Sequence, residues 1–289
     1  MKISLGLPKG SLEEATLALF TKAGIHIRKG ERSYFPTCDD PGLDLVIMRP
    51  QELPRYVEEG ILDACITGQD WTAENGASVV EIAELTYSKN SRRKCAWVLA
   101  VPESSRFKRP EDLRNRRIAT ELVETTKRYF RRKKVPVKVE FSWGATEVKP
   151  PRLADAIVEL TETGSSLRAN RLRIIDVVME TATVLIANRH SWKNQEKRDK
   201  LENLTLLLQG TLAAENYIGL KCNVRSNDLA RVLKVLPALH NPTVSNLSDK
   251  GWQAVETFIH FQEAKHIVPL LKRAGASGIV EFQVSKVIP

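Results

Sequence analysis

Short apolar runs alternate with amphipathic stretches along the first 210 residues. Runs at residues 2–7, 43–48 and 61–68 are rich in Ile, Leu and Val and each ends at a glycine, proline or charged residue, which predicts buried strands. The segment after Gly10 carries its apolar residues on one face of a 3.6-residue turn, which predicts a helix. Strands and helices that follow one another in this way are typical of an α/β domain.

The same alternation continues to residue 210 and contains a short internal repeat. The further predicted strands are residues 95–101, 117–120, 137–141, 156–160, 174–180 and 182–188. The further predicted helices are residues 51–59, 110–115, 124–134 and 190–201, with another opening at Asp70. Asp63-Ala64 and Asp155-Ala156 each precede an apolar run, which indicates two similarly built lobes around a shared cleft.

The pattern changes after residue 210. The predicted elements there are a strand at 217–224, a helix at 226–236, a strand entered at 242–244, a strand at 254–262, a helix at 266–274 and a strand at 278–282. The order βαββαβ predicts a separate ferredoxin-like domain.

Composition restricts the class of protein. The 289 residues are 42% hydrophobic and 27% charged, as in a globular protein. No apolar run approaches the roughly 20 residues of a membrane span, and the first residues carry no signal-peptide pattern. The four cysteines show neither zinc nor redox spacing. We therefore expect a cytoplasmic protein with reduced thiols and no membrane partner.

Positive charge is concentrated in one segment. Residues 91–138 hold 16 lysines and arginines against five aspartates and glutamates, whereas the whole chain has a net charge of +9. Such a segment suits nucleotides, pyrophosphates or nucleic acid. The segment has few aromatic residues for stacking bases and no recognised binding motif, so nucleic acid is the weaker interpretation.

Residues 154–170 carry the clearest chemistry. An apolar strand with Glu159 near its end runs into the turn 162–166, which contains Gly164, and a helix can start at Leu167. Amides at such a turn, with the helix dipole, bind anions. Its hydroxyl donors are Thr163, Ser165 and Ser166. A carboxylate at the strand end can accept hydrogen bonds from sugar hydroxyls, so the stretch suits a sugar phosphate.

An alternative interpretation of this turn stays open. It is equally an ordinary strand-to-helix connection in which Ser166 caps the helix. Glu162 places a negative charge in the turn, which fits a phosphate only if its side chain points away and its backbone N–H alone is used.

Two cations lie where ligands usually bind in open α/β sheets. Lys9 is in the loop after the first strand, and Arg49 directly ends the strand 43–48. Lys9 could equally be a solvated loop charge.

Several motifs together resemble one enzyme family. They are Leu7-Pro8-Lys9-Gly10-Ser11-Leu12, Arg49, residues 56–60, Asp63, Thr67-Gly68-Gln69-Asp70, Ala119-Thr120-Glu121, Gly144-Ala145-Thr146-Glu147 and the stretch 154–170. In order and spacing they resemble the long form of ATP phosphoribosyltransferase, the first enzyme of histidine biosynthesis.

The resemblance implies a fold and a reaction. Two lobes built like periplasmic solute-binding proteins would surround a cleft: lobe I of residues 1–90 with 181–210, and lobe II of residues 91–180. Residues 211–289 would form a regulatory domain. The N1 nitrogen of ATP would attack C1 of phosphoribosyl pyrophosphate to give N1-(5-phosphoribosyl)-ATP, and pyrophosphate would leave with Mg²⁺, whose protein ligands the motifs do not identify.

The resemblance also implies site residues. The catalytic set is Lys9, Arg49 and Glu121. The substrate-binding set is Asp70, Glu159, Glu162, Thr163, Gly164, Ser165 and Ser166, with the turn holding the 5-phosphate. Histidine would inhibit through Asn223, Thr243 and Gly278, and the chain would form a homo-oligomer, as dimers and hexamers.

Two other classes of protein compete with this enzyme. A non-catalytic solute binder with a small sensory domain explains the lobes, and a nucleic-acid-binding protein explains the basic segment. The enzyme reaction needs mainly positioning and electrostatic stabilisation. It therefore agrees with a chain that has cations and a phosphate turn but no Ser/His/Asp or Cys/His arrangement.

Overall fold

The computed structural model describes residues 1–85, 87, 95–236 and 241–288. It divides into two compact units, residues 1–21 with 25–205 and residues 22–24 with 206–289. Residues 91–94 of the basic segment lie outside the described part, as does the predicted boundary between residues 90 and 91.

The first unit contains twelve described strands. They are β1 Ile3–Pro8, β2 Ile27–Arg28, β3 Thr37–Cys38, β4 Leu43–Met48, β5 Ala64–Gly68, β6 Val80–Leu85, β7 Cys95–Pro102, β8 Arg117–Thr120, β9 Lys138–Phe141, β10 Ala156–Thr161, β11 Leu172–Thr181 and β12 Thr183–Ala187. Its helices are α1 Glu13–Ala23, α2 Leu53–Glu58, α3 Gln69–Asn75, α4 Val123–Arg132, α5 Ser165–Ala169, α6 Arg189–Lys193 and the start of α7 Gln195–Ala214.

Two five-stranded sheets of the same topology form the lobes. One has the order β4-β1-β5-β12-β6 and the other the order β9-β8-β10-β7-β11. In each, three parallel strands are followed by two antiparallel pairings. The fourth strand in the order of the first sheet is β12, which is the last strand of its lobe in the sequence. The fourth strand in the order of the second sheet is β7, the strand by which the chain enters that lobe. The predicted pair of periplasmic-binding-protein-like lobes is confirmed.

The repeated aspartates occupy equivalent positions in the two sheets. Ser4 N–H donates to Asp63 Oδ2 at 3.0 Å, and Asp63 N–H donates to Ser4 O at 2.9 Å. Arg117 and Asp155 make the same two bonds, both at 2.9 Å. Both aspartates precede their strands and so lie at the opposite end from the carboxyl edge, where open α/β sheets bind ligands. Their role is to cap the start of a parallel strand.

The central strands are buried on both faces. All five residues of β12 are buried, as are residues 97–102 of β7. Burial on both sides explains why these strands are continuous apolar runs rather than alternating ones. On one face of the second sheet, Trp97 packs with Tyr129 and Phe130 of α4.

The second unit has the predicted ferredoxin-like arrangement. Its elements are β13 Tyr217–Arg225, α8 Leu229–Val235, β14 Thr243–Asn246, β15 Trp252–His260, α9 Phe261–Arg273 and β16 Ser277–Gln283. The sheet order is β14-β15-β13-β16, and every pairing is antiparallel. Its core packs strand residues such as Leu220 and Val255 against Val232 of α8 and Leu271 of α9.

The structure corrects several element boundaries. Residues 261 and 262, predicted as strand, begin helix α9, because Ala264, Ile267 and Leu271 are buried at helical spacing. The helix predicted at 190–201 is two helices, and the second continues to Ala214. Strand β6 was not predicted. None of the described helices is long and apolar enough to cross a bilayer.

The two capping aspartates predict different losses of stability. The Asp63 side chain is 11% exposed and forms an ion pair with Lys197. Lys197 and Ser191 both donate hydrogen bonds to its carboxylate. Asp155 is 30% exposed and lies 3.6 Å from Arg116. We expect Asp63→Asn to lower the unfolding free energy by about 2 kcal/mol, because its amide nitrogen would face at least one donor in either orientation and the ion pair with Lys197 would be lost. The matched Asp155→Asn should cost less than about 1 kcal/mol. Denaturant titration at pH 7 measures both.

The pH dependence provides a second check. Burial raises the pKa of the Asp63 carboxyl, but hydrogen bonds from Lys197, Ser191 and Ser4 N–H outweigh it, so the net change is downward. Stability from a lowered pKa is present above the unfolded value of about 3.9 and is lost as pH falls through the folded value. The loss of unfolding free energy caused by Asp63→Asn should therefore become smaller as the pH is lowered into the acid range. Equal losses for both variants at pH 7 would contradict this assignment.

Candidate active site

A cavity of about 410 Å³ lies where strands of the two lobes end. Gly68 ends β5, Glu121 directly follows β8, and Glu159 lies near the end of β10. The predicted site residues on its wall are Asp70, Glu121, Glu159 and Glu162. The fold therefore brings four predicted carboxylates from both lobes into one cleft.

Lys9 and Arg49 lie on a different cavity. This second space, of about 840 Å³, belongs to lobe I and also has Tyr34 and Tyr56 on its wall. Lys9 Nζ donates to the Tyr34 hydroxyl at 2.8 Å and lies 4.3 Å from the centre of its ring. That hydrogen bond, with the lysine's charge, lowers the pKa of Tyr34. Lys9 and Arg49 thus share a cavity with each other, but not with Glu121.

The predicted phosphate turn is closed by a local hydrogen bond. Gly164 N–H donates to Thr161 Oγ1 at 2.7 Å, and Gly164 adopts a φ of +71°. A Cβ at this position would also meet the Arg168 guanidinium at 2.9 Å. Arg168 in turn donates to Thr163 O at 3.0 Å. The positive φ therefore favours glycine here, and an added Cβ would also displace the end of the flexible Arg168 side chain.

The helix after the turn begins differently from the prediction. Gly164, not Ser166, is the N-cap of α5. The amides of Ser165 and Ser166 belong to its first turn and so have no acceptor within the helix. The Thr163 hydroxyl donates to Ser165 Oγ at 3.1 Å, and the Ser166 hydroxyl donates to Glu147 Oε1 at 2.6 Å.

Glu162 lies on the wall of the cleft. The pKa of the Cys95 thiol is raised by its burial first and then by the charges of Glu162 and Asp70. Cys95 begins β7 and is on the wall of the same cleft, so the charge of Glu162 acts on the start of that strand. The orientation of Glu162 relative to a bound phosphate stays a prediction.

Glu159 is a carboxyl group of the cleft whose pKa is raised by its surroundings. Burial raises its pKa, and the negative charges of Glu147 and Glu121 raise it further. Hydrogen bonds from the Thr146 side chain and Leu160 N–H act in the opposite direction. The resulting pKa is about 7, so Glu159 changes charge near neutral pH.

Asp70 joins the two lobes. The residue is 4% exposed, and its carboxylate accepts hydrogen bonds from Trp97 Nε1–H at 2.7 Å and Trp71 N–H at 3.0 Å. Its own N–H donates to Thr181 Oγ1 at 3.1 Å. Burial raises its pKa. Trp97 is on β7 and Thr181 ends β11, so Asp70 of lobe I holds both segments where the chain crosses between the lobes.

A second contact links the lobes through helix termini. Glu74 of α3 accepts the N–H groups of Glu124 and Thr125, both at 2.8 Å. Helix α4 begins after Leu122, which supplies no side-chain cap, so a carboxylate of lobe I satisfies its first amides. Sequence reasoning missed Trp97 and Glu74. The only available signal was the absence of a capping residue before α4.

The residues of the cleft fit a magnesium ion that arrives with a phosphate. Among the described residues, no group of three or more His, Cys, Asp and Glu side chains is placed to hold a metal. Magnesium is usually bound by one or two carboxylates together with substrate phosphates and water. Glu121, on the wall of the cleft, is a carboxylate of this kind.

The three residues predicted to bind histidine are only partly brought together. Asn223 of β13 lies beside Gly278 of β16, whose added Cβ would be 3.4 Å from Asn223 Nδ2. Thr243 is on β14, which is separated from β13 by β15. Adjacent strands are about 4.8 Å apart, so Thr243 lies two strand spacings from Asn223.

Comparisons with known proteins follow the same division of the chain. Residues 49–210 match the family model described as ATP phosphoribosyltransferase, and residues 214–286 match the model for the HisG C-terminal domain. A curated ATP phosphoribosyltransferase of Solibacter usitatus is 56% identical over 288 residues, with all of both chains covered. That of Chlorobaculum parvum is 52% identical over 286 residues, covering 99% of this chain and 97% of its own.

A solved structure agrees with these relatives. A chain of the ATP phosphoribosyl transferase (HisG:HisZ) complex from Thermotoga maritima is 28% identical, with a TM-score of 0.62. The match covers 72% of this chain and 98% of that chain. The chain described here therefore belongs to the ATP phosphoribosyltransferase family and is a phosphoribosyltransferase.

Proposed function

We propose that the chain joins N1 of ATP to C1 of phosphoribosyl pyrophosphate, giving N1-(5-phosphoribosyl)-ATP and pyrophosphate in the first step of histidine biosynthesis. The observation that carries the proposal is the cleft in which carboxylates of both lobes meet, with Glu162, the first residue of the glycine turn, on its wall, in a member of this family. Residues 163–166 of the turn follow directly but do not line that cavity. The reaction uses small substrates in the cytoplasm and requires neither a nucleic acid nor a membrane.

The turn would bind the 5-phosphate. The first-turn amides of Ser165 and Ser166 and the hydroxyl of Ser165, which accepts from Thr163, supply donors around Gly164, and Thr163 would donate to the phosphate by turning its hydroxyl away from Ser165. Amides of this kind favour a phosphate group. Glu162 would contribute its backbone N–H. Ionised Glu159 would accept hydrogen bonds from the ribose hydroxyls and so orient C1 toward the nucleotide.

Bound Mg²⁺ would neutralise the leaving pyrophosphate. Glu121, on the same cleft wall as Glu159, would hold the ion together with the substrate phosphates. Lys9 and Arg49 would act at the ATP phosphates, since cations at strand ends suit a polyanion. Their separate cavity means that ATP would extend from lobe I to the cleft. Asp70 would support substrate binding by fixing the cleft wall.

The direct experiment mixes purified protein with ATP, phosphoribosyl pyrophosphate and magnesium, and measures pyrophosphate release together with near-ultraviolet absorbance of the adenine product. We expect turnover that requires both substrates. Binding of one substrate in calorimetry without any turnover would favour a non-catalytic binder. Steeply salt-dependent binding of nucleic acid would favour a nucleic-acid-binding protein.

The glycine turn gives a sharper test of the phosphoribosyl site. We expect Gly164→Ala to raise the KM for phosphoribosyl pyrophosphate by at least about tenfold, because an alanine at positive φ is strained by roughly 1–2 kcal/mol and meets Arg168. The KM for ATP should change little. Steady-state kinetics measures both.

Gly76→Ala is the matched control. Gly76 has a similar φ of +62° but nothing within 4 Å of an added Cβ. It should show the strain as lower stability without a selective change in KM. Equal kinetic effects of the two variants would argue against a phosphate role for the turn.

Histidine would inhibit the enzyme through the second unit, with Asn223, Thr243 and Gly278 as its contacts. Because Thr243 is two strands from Asn223, a histidine that touched all three would have to span those strands or use residues of two chains. The second arrangement is consistent with the proposed homo-oligomer of dimers and hexamers.

We expect millimolar histidine to lower turnover and Thr243→Ala to weaken the inhibition without changing kcat in its absence. Ser248→Ala is the control, since Ser248 is an exposed hydroxyl residue beyond the end of the same strand. The measurement is the histidine concentration for half inhibition, with sedimentation velocity for the oligomer. Turnover insensitive to histidine in the unmodified protein would exclude this regulation.

A further inference from the structure

Among the described residues, one buried side-chain oxygen on the wall of the cleft has no hydrogen-bond partner. It is Oε1 of Gln51, which lies shortly after the end of β4. Three other described residues have such an oxygen, and none of them is on this wall: Ser105, Thr126 and Gln253. A buried acceptor without a donor costs free energy. A ligand that brings a donor into the cleft would remove that cost.

The main chain that carries this amide is held in place by lobe I. Thr67 Oγ1, on β5, donates to Pro50 O at 2.8 Å. Asn75 Nδ2, at the end of α3, donates to Gln51 O at 2.9 Å. The side chain of Gln51 therefore projects from an ordered segment. A binding group on such a segment loses little conformational freedom when it meets a ligand.

The same cavity has apolar side chains that suit a flat aromatic ring. Leu12, Pro50 and Trp71 are partly buried on its wall, so each keeps some surface for a ligand. Trp97 packs edge to face against Trp71, with ring centroids 6.0 Å apart. Apolar and aromatic walls with a few polar groups are typical of small-molecule sites, and bases stack on aromatic side chains. An aromatic ring with a donor on its edge matches both features of this wall.

Gln51 also lies at the boundary between the two cavities. Arg49 is on the wall of the lobe I cavity, whereas Pro50 and Gln51 are on the wall of the cleft. Under the proposed function, Arg49 acts at the ATP phosphates and Glu159 holds the ribose of the other substrate. The base of ATP would then enter the cleft beside Gln51.

A side-chain amide matches one edge of adenine. Its oxygen accepts from the exocyclic N6 amine and its nitrogen donates to N7, which is the pair of bonds by which Asn and Gln recognise adenine. That edge does not include N1. The N1 lone pair therefore stays available for C1 of phosphoribosyl pyrophosphate, as the proposed reaction requires.

We propose that Gln51 selects the adenine base of ATP, with its side-chain amide accepting a hydrogen bond from the N6 amine and donating one to N7 while the ring packs on the apolar wall. The inference rests on the proposed function and adds to it the origin of the preference for an adenine nucleotide. Gln51 touches the substrate away from the reacting atom, so it determines specificity and takes no part in bond formation.

The test measures the binding of ATP and two analogues by calorimetry. Purine riboside triphosphate lacks the N6 amine, and 7-deaza-ATP lacks the N7 acceptor. Binding is the measured quantity because removal of the amine also changes the basicity of N1 and therefore the rate of the reaction. We expect each analogue to bind the unmodified protein about tenfold more weakly than ATP, since each leaves one end of the amide without a partner.

Two substitutions of Gln51 separate the two bonds. Gln51→Leu removes both at nearly constant size, so the preference for ATP over either analogue should fall to within about twofold. The KM for phosphoribosyl pyrophosphate should not change. Gln51→Glu keeps an acceptor but loses the donor, so the preference for the N6 amine should remain and that for N7 should disappear. This variant also serves if Gln51→Leu fails to fold.

Gln253→Leu is the matched control. Gln253 also has a buried Oε1 without a partner, but it lies on β15 of the second unit. Its replacement should leave the three affinities unchanged. Denaturant titration accompanies the binding measurements, because a purely structural role of Gln51 would lower the stability of Gln51→Leu and weaken all three ligands equally. That result would overturn the inference.

The outcomes distinguish the two proposals. Adenine-selective binding that depends on Gln51, without turnover by the unmodified protein, would overturn the proposed function and support the adenine contact. Normal turnover with the same ratio of ATP to analogue affinity in Gln51→Leu as in the unmodified protein would overturn the role of Gln51 alone.

Discussion

The buried carboxylate of Asp70 is the interaction on which the cleft depends. Burial of a carboxylate is costly without hydrogen bonds, and Trp97, Trp71 and Thr181 supply the partners of this residue. Two of them lie on the strands by which the chain enters and leaves lobe II. The carboxylate therefore lies where the chain crosses between the lobes. The loss of one of its hydrogen bonds would remove a contact between the two sheets. The cap that Glu74 places on α4 adds a second fixed point between the lobes.

The cleft that this junction creates is acidic, although the proposed substrates are polyanions. Asp70, Glu121, Glu159 and Glu162 are all on its wall, whereas Lys9 and Arg49 are on the second cavity. Burial first, and then the like charges of Glu147 and Glu121, raise the pKa of Glu159. Under the proposed function, electrostatic balance would therefore be supplied by a cation that enters with the pyrophosphate. It also requires donors that carry no full charge, which are the amides and hydroxyls of the turn.

The sequence predicted what depends on local pattern. The Asp-Ala repeat identified two equivalent strands, because a parallel strand of each sheet begins with the same pair of hydrogen bonds. Gly164 was recognisable because its conformation needs glycine. The sequence could not show that Trp97 reaches Asp70 or that Glu74 caps α4, since these contacts join residues 27 and 50 positions apart. It also placed Lys9 and Arg49 near Glu121, although the ends of β1 and β4 border a separate cavity of lobe I and only the end of β5 reaches the cleft with Glu121.

The loop between β9 and β10 shows how local backbone strain positions buried side chains. Gly144 and Ala145 have φ values of +123° and +48°, and the second is unfavourable for a residue with a Cβ by roughly 1–2 kcal/mol. This reversal turns the backbone so that the buried hydroxyl groups of Ser142 and Thr146, four residues apart, lie 2.8 Å from each other. A relaxed loop would separate the two hydroxyls and leave Thr146 without this partner. The strained backbone at Ala145 is thus the geometric condition for a hydrogen bond between two side chains inside the protein.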